Sequence, residues 1–318
     1  MRDRSSRSSV LWKSSVLLLV VFALPSPAEL RAGVARVSIT PDVTAERVPL
    51  GGYTARGAKR ATGVHDAVNA RALVVDDGKT RLALVSCELL TVPASLKTAV
   101  LARLPGWSPE RLLLAATHTH SAPDSQRLNA KMRFPVPGIA TFDAKALEWT
   151  AERVAQSVRE ASDRLEPVSL AVGSAEAGLS RLRRWTSPLP IEDVAVPAPP
   201  WLHRPFGAET LVPGPVGERG RPTRLSDALR LAELRRPDGS VLAAVVNYAA
   251  HPTIYDEKML RISGDWPGEL AREWEQRHPG GELLFLNGAL GDRSPIADEG
   301  GTAESRVTAF AGKVLSKL

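Results

Sequence analysis

Apolar and polar residues alternate through Gly33–Thr40, which predicts an early strand closed by Pro41-Asp42. Two apolar runs, Ala70–Asp76 and Arg81–Cys87, flank Asp77-Gly78, and an Asp-Gly pair between such runs predicts a β-hairpin. The spacing turns helical at Pro93–Leu104, where Leu96, Val100, Leu101 and Leu104 share one face. It is helical again through Asp143–Leu165, with Leu147, Ala151, Val154, Val158 and Ala161 in register. Leu112–Ala116 and Glu282–Asn287 read as buried strands, Val168–Val172 and Ala228–Leu234 as further strands, and Val241–Tyr248 as a central one. Helices are predicted for Pro267–Arg277, with proline in the first turn, and for Thr302–Leu318. Strands and helices alternate without a regular crossover pattern. The expected fold is α/β, a single large domain with a mixed central sheet or sheets and flanking helices.

Composition changes this picture at two places. Ser187–Arg224 holds nine prolines and little periodicity, and reads as a long surface loop or insertion inside the domain 30–318. At the start, basic residues precede the apolar run Val16–Leu24, and Ser26-Pro27-Ala28 offers small residues for cleavage. Residues 1–28 are therefore expected to be a signal peptide, and the protein secreted or periplasmic; nine apolar residues are short for a membrane span. The formal charge of +6 includes +2 from the first thirty residues, leaving +4. No dense Lys/Arg block carries interleaved aromatics, which argues against a nucleic-acid partner. The single Cys87 cannot form an internal disulfide, so packing, with or without a metal, must hold an exported chain together.

Candidate chemistry collects where strands end. Leu112–Ala116 runs into Thr117-His118-Thr119-His120-Ser121-Ala122-Pro123. On an extended chain residues i and i+2 share a face, so both imidazoles are expected side by side. Val241–Tyr248 runs into Ala249-Ala250-His251-Pro252, and Glu282–Asn287 into Gly288-Ala289-Leu290-Gly291-Asp292-Arg293-Ser294-Pro295. Each segment alone has a structural reading, as a strand-end hydrogen-bonder or a tight loop. Their recurrence at three strand ends favours a metal site, for which Asp265 or Glu269 would be available as a further ligand. A metal with an open position points to hydrolysis. Carboxylates are too sparse around these motifs for a two-metal phosphoesterase.

The ordered motifs resemble the neutral (non-lysosomal) ceramidases through their N-terminal catalytic domain. Gly33–Pro41 is similar to that family's opening segment, Gly52-Tyr53 to its Gly-Tyr turn, and Gly63-Val64-His65 with Ala70-Arg71-Ala72 to its Gly-Ile-His…Ala-Arg-Ala stretch. Thr117–Pro123, Asn247–Thr253, Ser263-Gly264-Asp265 and Gly291–Pro295 resemble the later motifs, and the set spans about residues 33–296. The resemblance implies a zinc-dependent amidohydrolase that cleaves the N-acyl bond of ceramide or a related lipid. It implies His118 and His251 as zinc ligands, His120 beside the metal as acid/base or orienting group, and Ser294 as the active-site serine. It also implies an arginine, Arg181 or Arg183, at the amide oxyanion. A zinc-activated water is favoured over Ser294 as nucleophile. The implied partner is a ceramide-like lipid, with peripheral contact to a membrane. The family completes its zinc site with a Glu and a Tyr downstream of the Gly-Asp-x-Ser-Pro loop, and carries a C-terminal β-sandwich; 23 residues follow Pro295 in this sequence. Trp266-Pro267-Gly268 replaces the family's continuation after Ser263-Gly264-Asp265, so another N-acyl amide is the alternative substrate. A metal-deficient lipid-binding homologue is the alternative from another class.

Overall fold

A computed structural model describes residues 29–57, 59–182, 227–291 and 293–318. The expected signal peptide, the Pro-rich segment 187–224, Arg183 and Asp292 lie outside these residues. In chain order the strands are β1 (Arg31–Ser38), β2 (Gly63–Val64), β3 (Asn69–Asp76), β4 (Arg81–Cys87), β5 (Leu112–Ala116), β6 (Glu166–Pro167) and β7 (Ser169–Glu176). They continue with β8 (Ser180–Leu182), β9 (Ala228–Arg235), β10 (Val241–Tyr248), β11 (Arg261–Ile262), β12 (Glu282–Asn287) and β13 (Arg293–Pro295). The α-helices are α1 (Ala94–Leu101), α2 (Ala144–Asp163), α3 (Asp265–Arg277) and α4 (Ala303–Leu315).

Two mixed sheets carry the fold. The first has the order β5-β4-β3-β1-β6 and the second β12-β10-β9-β7. The predicted hairpin forms between β3 and β4, with Asp76 opposite Arg81. Its turn closes because Asp77 accepts hydrogen bonds from Lys79 N at 2.9 Å and Thr80 N at 2.7 Å, while Gly78 takes a positive φ of 80°. Helix α2 begins where the Asp143 carboxylate accepts from Ala146 N. Its apolar stripe, including Leu147, Ala151, Val154, Val158 and Ala161, is buried over the first sheet together with Leu96 and Val100 of α1. Helices α3 and α4 cover the second sheet through Trp266, Leu270, Trp274, Val307 and Phe310. A third cluster, with Ala32, Val34 and Leu73 from one sheet and Leu234, Leu242, Ala243 and Leu284 from the other, lies between the sheets. The layers therefore run helix, sheet, sheet, helix. Burying a large apolar side chain in these clusters contributes roughly 1.5–3 kcal/mol.

Two expectations change. Leu112–Ala116 is a strand, but it lies at a sheet edge and its Leu113 is 57% exposed, because only β4 pairs with it. The strand expected at Val168–Val172 is longer, Ser169–Glu176, and is exposed along its whole length at the edge of the second sheet.

The two sheets are also tied by polar contacts. Ser86 Oγ of β4 donates to Phe285 O of β12 at 2.7 Å, and Asn287 Nδ2 donates to Ala116 O at 2.7 Å. Arg71 of β3 is buried, pairing with Glu88, with Glu275 of α3 and with Glu282 of β12. Strand β4 is parallel to β5, and β10 is parallel to β12. The Asn287–Ala116 contact therefore brings the carboxyl ends of β5 and β12 together, and places the loops that follow β5, β10 and β12 in one region.

Candidate metal centre

His118, His120 and His251 meet in that region. Their ring centroids are 5.1 Å apart for His118–His120, 4.8 Å for His118–His251 and 5.0 Å for His120–His251. One donor nitrogen from each lies within 4.8 Å of the others, and this is the group of ligating side chains found among the described residues. His120 and His251 are buried and His118 is half-buried.

The two imidazoles of the His-x-His motif do not converge by strand alternation. The strand ends at Ala116, and His118 adopts a left-handed φ of 67°. Thr117 N then donates to Cys87 O at 2.8 Å and His118 N to Leu89 O at 2.9 Å, so the loop is held against the chain leaving β4. His120 N donates to Pro252 O at 3.3 Å, which joins the His-x-His loop to the loop carrying His251. His251 N donates to Arg293 O at 3.0 Å, which ties in the third loop.

The hydrogen bonds set which nitrogens can ligate. His118 Nδ1 lies 2.7 Å from Leu90 O and His251 Nδ1 lies 3.0 Å from Leu290 O. A carbonyl only accepts, so both Nδ1 atoms carry hydrogen and both neutral rings present Nε2 as the lone pair. His251 Nε2 faces His120 Nε2 at 3.1 Å. A metal-ligating histidine commonly donates its other N–H to a backbone carbonyl in this way. Three imidazoles with two such outer contacts fit a borderline metal ion of the zinc type.

His120 is held from outside the cluster as well. Tyr53 meets it edge to face at 4.9 Å between centroids. A Cβ added at Gly52, where φ is 91°, would lie 2.5 Å from His120 Cγ, so the Gly-Tyr turn must present bare backbone here. Arg56, almost fully buried, donates to five carbonyls: Gly51 O at 2.7 Å, His120 O at 2.6 Å, Glu257 O at 3.3 Å, Asp256 O at 3.2 Å and Met259 O at 2.9 Å. Its guanidinium also stacks over Tyr53, 4.8 Å from the ring centroid. The sequence singles out the Gly-Tyr turn but not Arg56, whose hydrogen-bond acceptors here are backbone carbonyls.

The carboxylates expected as extra ligands lie elsewhere. Asp265 has no exposed surface and accepts from Trp266 N at 2.7 Å and Tyr255 N at 3.2 Å. Burial pushes its carboxyl up to about 7 against these bonds. Glu269 pairs with Arg272. Both are engaged in starting and bracing α3, so the structure removes them from the ligand set. Ser294 is half-buried on β13, one residue from the Arg293 carbonyl that accepts from His251 N. Arg181 is exposed on β8 and is the register partner of Ser294. Strand β8 is braced by Asp227, which accepts from Ser180 Oγ and from Tyr248 Oη. Burial works to raise the Asp227 carboxyl, but these hydrogen bonds outweigh it and hold it below the usual carboxylate range.

Fold and site together define a four-layer α/β protein with a candidate metal centre at converging strand ends. Residues 30–187 match the family described as neutral/alkaline non-lysosomal ceramidase, N-terminal, and the chain belongs to that family. A neutral ceramidase of Pseudomonas aeruginosa is 31% identical over 181 residues, which cover 55% of this chain and 26% of that protein. One from Mycobacterium tuberculosis is 25% identical over 279 residues, covering 81% of this chain and 39% of that protein. The crystal structure of the Pseudomonas aeruginosa neutral ceramidase has a TM-score of 0.72 at 24% identity, over 92% of this chain and 44% of that one. The chain thus spans less than half the length of these relatives.

Proposed function

We propose that this chain hydrolyses the amide bond of an N-acylated sphingoid base, ceramide or a close analogue, releasing a fatty acid. The observation that carries this reading is the cluster of His118, His120 and His251 in a chain of this family. These three side chains would hold the metal, which we take to be zinc. When bound, zinc polarises a carbonyl and makes water a usable nucleophile near neutral pH.

The chain's own residues would divide the remaining work. The Nδ1–H donors of His118 and His251, fixed on Leu90 O and Leu290 O, keep both rings in the ligating tautomer. His120, gripped by Tyr53 and by Arg56 through its carbonyl, keeps its Nε2 directed at His251. Ser294, beside the segment bonded to His251, is assigned to hold the substrate's polar head. Arg181, its cross-strand partner, is assigned to the developing oxyanion. We also propose export, on the basic start and the apolar run Val16–Leu24; a mature N-terminus near Leu30 on protein recovered outside the cytoplasm supports it, and an uncleaved cytoplasmic chain rejects it.

Metal analysis of the purified chain, with fatty acid release from a fluorescent ceramide, tests the reading. Bound zinc and metal-dependent release are expected. Absence of zinc together with absence of cleavage of any N-acyl amide contradicts it, and chelator-insensitive lipid binding without turnover identifies a non-catalytic homologue.

A further inference from the structure

The turn 263–266, which leads into α3, bonds to both histidine loops. Ser263 N donates to Ser121 O at 2.9 Å, and Thr119 Oγ1 donates to Ser263 O at 2.9 Å. These bonds take hold of the chain on either side of His120. Further along the turn, Trp266 Nε1 donates to His251 O at 3.4 Å, and the Asp265 carboxylate accepts from Tyr255 N at 3.2 Å, just past His251. Tyr255 O in turn accepts from Tyr53 Oη at 2.9 Å, and Tyr53 packs on His120. The turn is thereby tied to the loop that follows β5 of the first sheet and to the loop that follows β10 of the second.

The geometry of the turn is itself fixed. Asp66 accepts from Ser263 Oγ at 2.6 Å and from Gly264 N at 2.8 Å. Asp265 takes a left-handed φ of 53°, uncommon for a residue other than glycine, and such conformations persist where neighbouring contacts enforce them. Here the carboxylate does so, with Oδ1 accepting from Trp266 N and Oδ2 from Tyr255 N. Trp266, where the sequence departs from the family, has no exposed surface. Its ring meets Phe285 at 4.7 Å and Phe310 at 5.2 Å between centroids, both edge to face. An indole wedged in this way has one N–H to give and little freedom in where it points. Starting α3 requires neither that N–H on His251 O nor a carboxylate bonded to a residue 10 positions earlier in the chain.

We propose that Asp265 and Trp266, together with Thr119, are positioning residues that set the spacing between His120 and His251. The two Nε2 atoms lie 3.1 Å apart on loops from different sheets, so their distance follows from how those loops are tied to each other. For zinc the consequence rests on the metal reading, because three imidazoles bind one ion only where their nitrogens meet its bond lengths. The tie itself holds in the metal-free chain, so its failure and that of the hydrolase reading are distinguishable.

Substitutions in the whole chain cut the tie at three points. Trp266→Phe keeps an aromatic ring without the N–H. Asp265→Asn keeps the size of the side chain but sets an amide NH2 against one of the two N–H donors. Thr119→Val releases Ser263 O at a position outside α3 and outside the cluster around Trp266. Phe310→Leu is the control, since it loosens the packing of Trp266 and its own side chain forms no hydrogen bond. Each of the first three should weaken zinc binding about 10–100-fold in competition with a chromophoric chelator, and alter the visible absorption of the cobalt-substituted chain. Phe310→Leu should lower the midpoint of thermal unfolding and leave zinc affinity and the cobalt spectrum as they are. In metal-free protein, the Thr253 amide, which donates to His251 O at 2.8 Å, should exchange at least about tenfold faster in Trp266→Phe, after correction for global stability, and not in Phe310→Leu. Unchanged zinc affinity in all three variants, or an equal loss in Phe310→Leu, overturns the proposal. If the wild-type chain takes up no metal, the exchange rates decide: an unchanged Thr253 rate in Trp266→Phe overturns the tie, and a faster one supports it.

Discussion

His120 shows how much of the site depends on backbone held by side chains from afar. Its ring packs on Gly52 and Tyr53, and its carbonyl accepts from Arg56. Arg56→Lys keeps a charge but offers three donors in place of five. Zinc affinity should fall about 10–100-fold, the usual cost of losing an outer contact, as read by competition with a chromophoric chelator. His118→Ala, His120→Ala and His251→Ala should each abolish stoichiometric zinc uptake, whereas Ser294→Ala should keep the metal and lose turnover. Retained full turnover in Ser294→Ala would remove that loop from the reaction. Asp265 gives a pH test. Its carboxyl has a folded value of about 7 against 3.8 ordinarily, so folding takes up a proton between those values. The contribution is complete below the lower value and is lost as pH rises through the upper one. Relative to Asp265→Asn, which does not titrate, the wild type should lose on the order of 4 kcal/mol of stability between about pH 4 and pH 8. A stability difference that stays flat with pH would show that the carboxyl ionises normally.

At the scale of elements, the sequence pattern located most strands and helices, because both buried faces of β1 and the stripe of α2 repeat at the expected periods. It did not reveal how closely those two elements approach. Gly33 of β1 faces α2, where an added Cβ would lie 2.1 Å from Ala161 O. Gly33→Ala should therefore cost roughly 1–3 kcal/mol or more through forced separation of helix and sheet, seen as a lower midpoint in thermal unfolding. Asp143→Ala removes both the cap on Ala146 N and one partner of Arg127, and should cost about 1–2 kcal/mol. The edge position of β5 was not legible either. Its five residues are all apolar, and only the pairing order shows that Leu113 faces outward.

Across the whole molecule, the histidine segments were legible one at a time as strand ends, and their meeting was not. They come from two different sheets, joined by Ser86 on Phe285 O, Asn287 on Ala116 O and the buried Arg71 on Glu282. Such contacts link residues about 170 to 210 apart in sequence and carry no local periodicity. Arg56 was invisible for a related reason, since carbonyl partners leave no residue signature. Asp265 and Glu269 stood as available further ligands in the sequence because a carboxylate near a motif looks the same whether it binds metal or belongs to the start of a helix. The most direct test of the central claim is the rate of fatty acid release from a fluorescent ceramide by chelated protein, measured again as zinc is restored. The account predicts no release from the metal-free chain and recovery that saturates near one zinc per chain. Undiminished release from metal-free protein, or none from the zinc-saturated chain with any N-acyl amide, would contradict it.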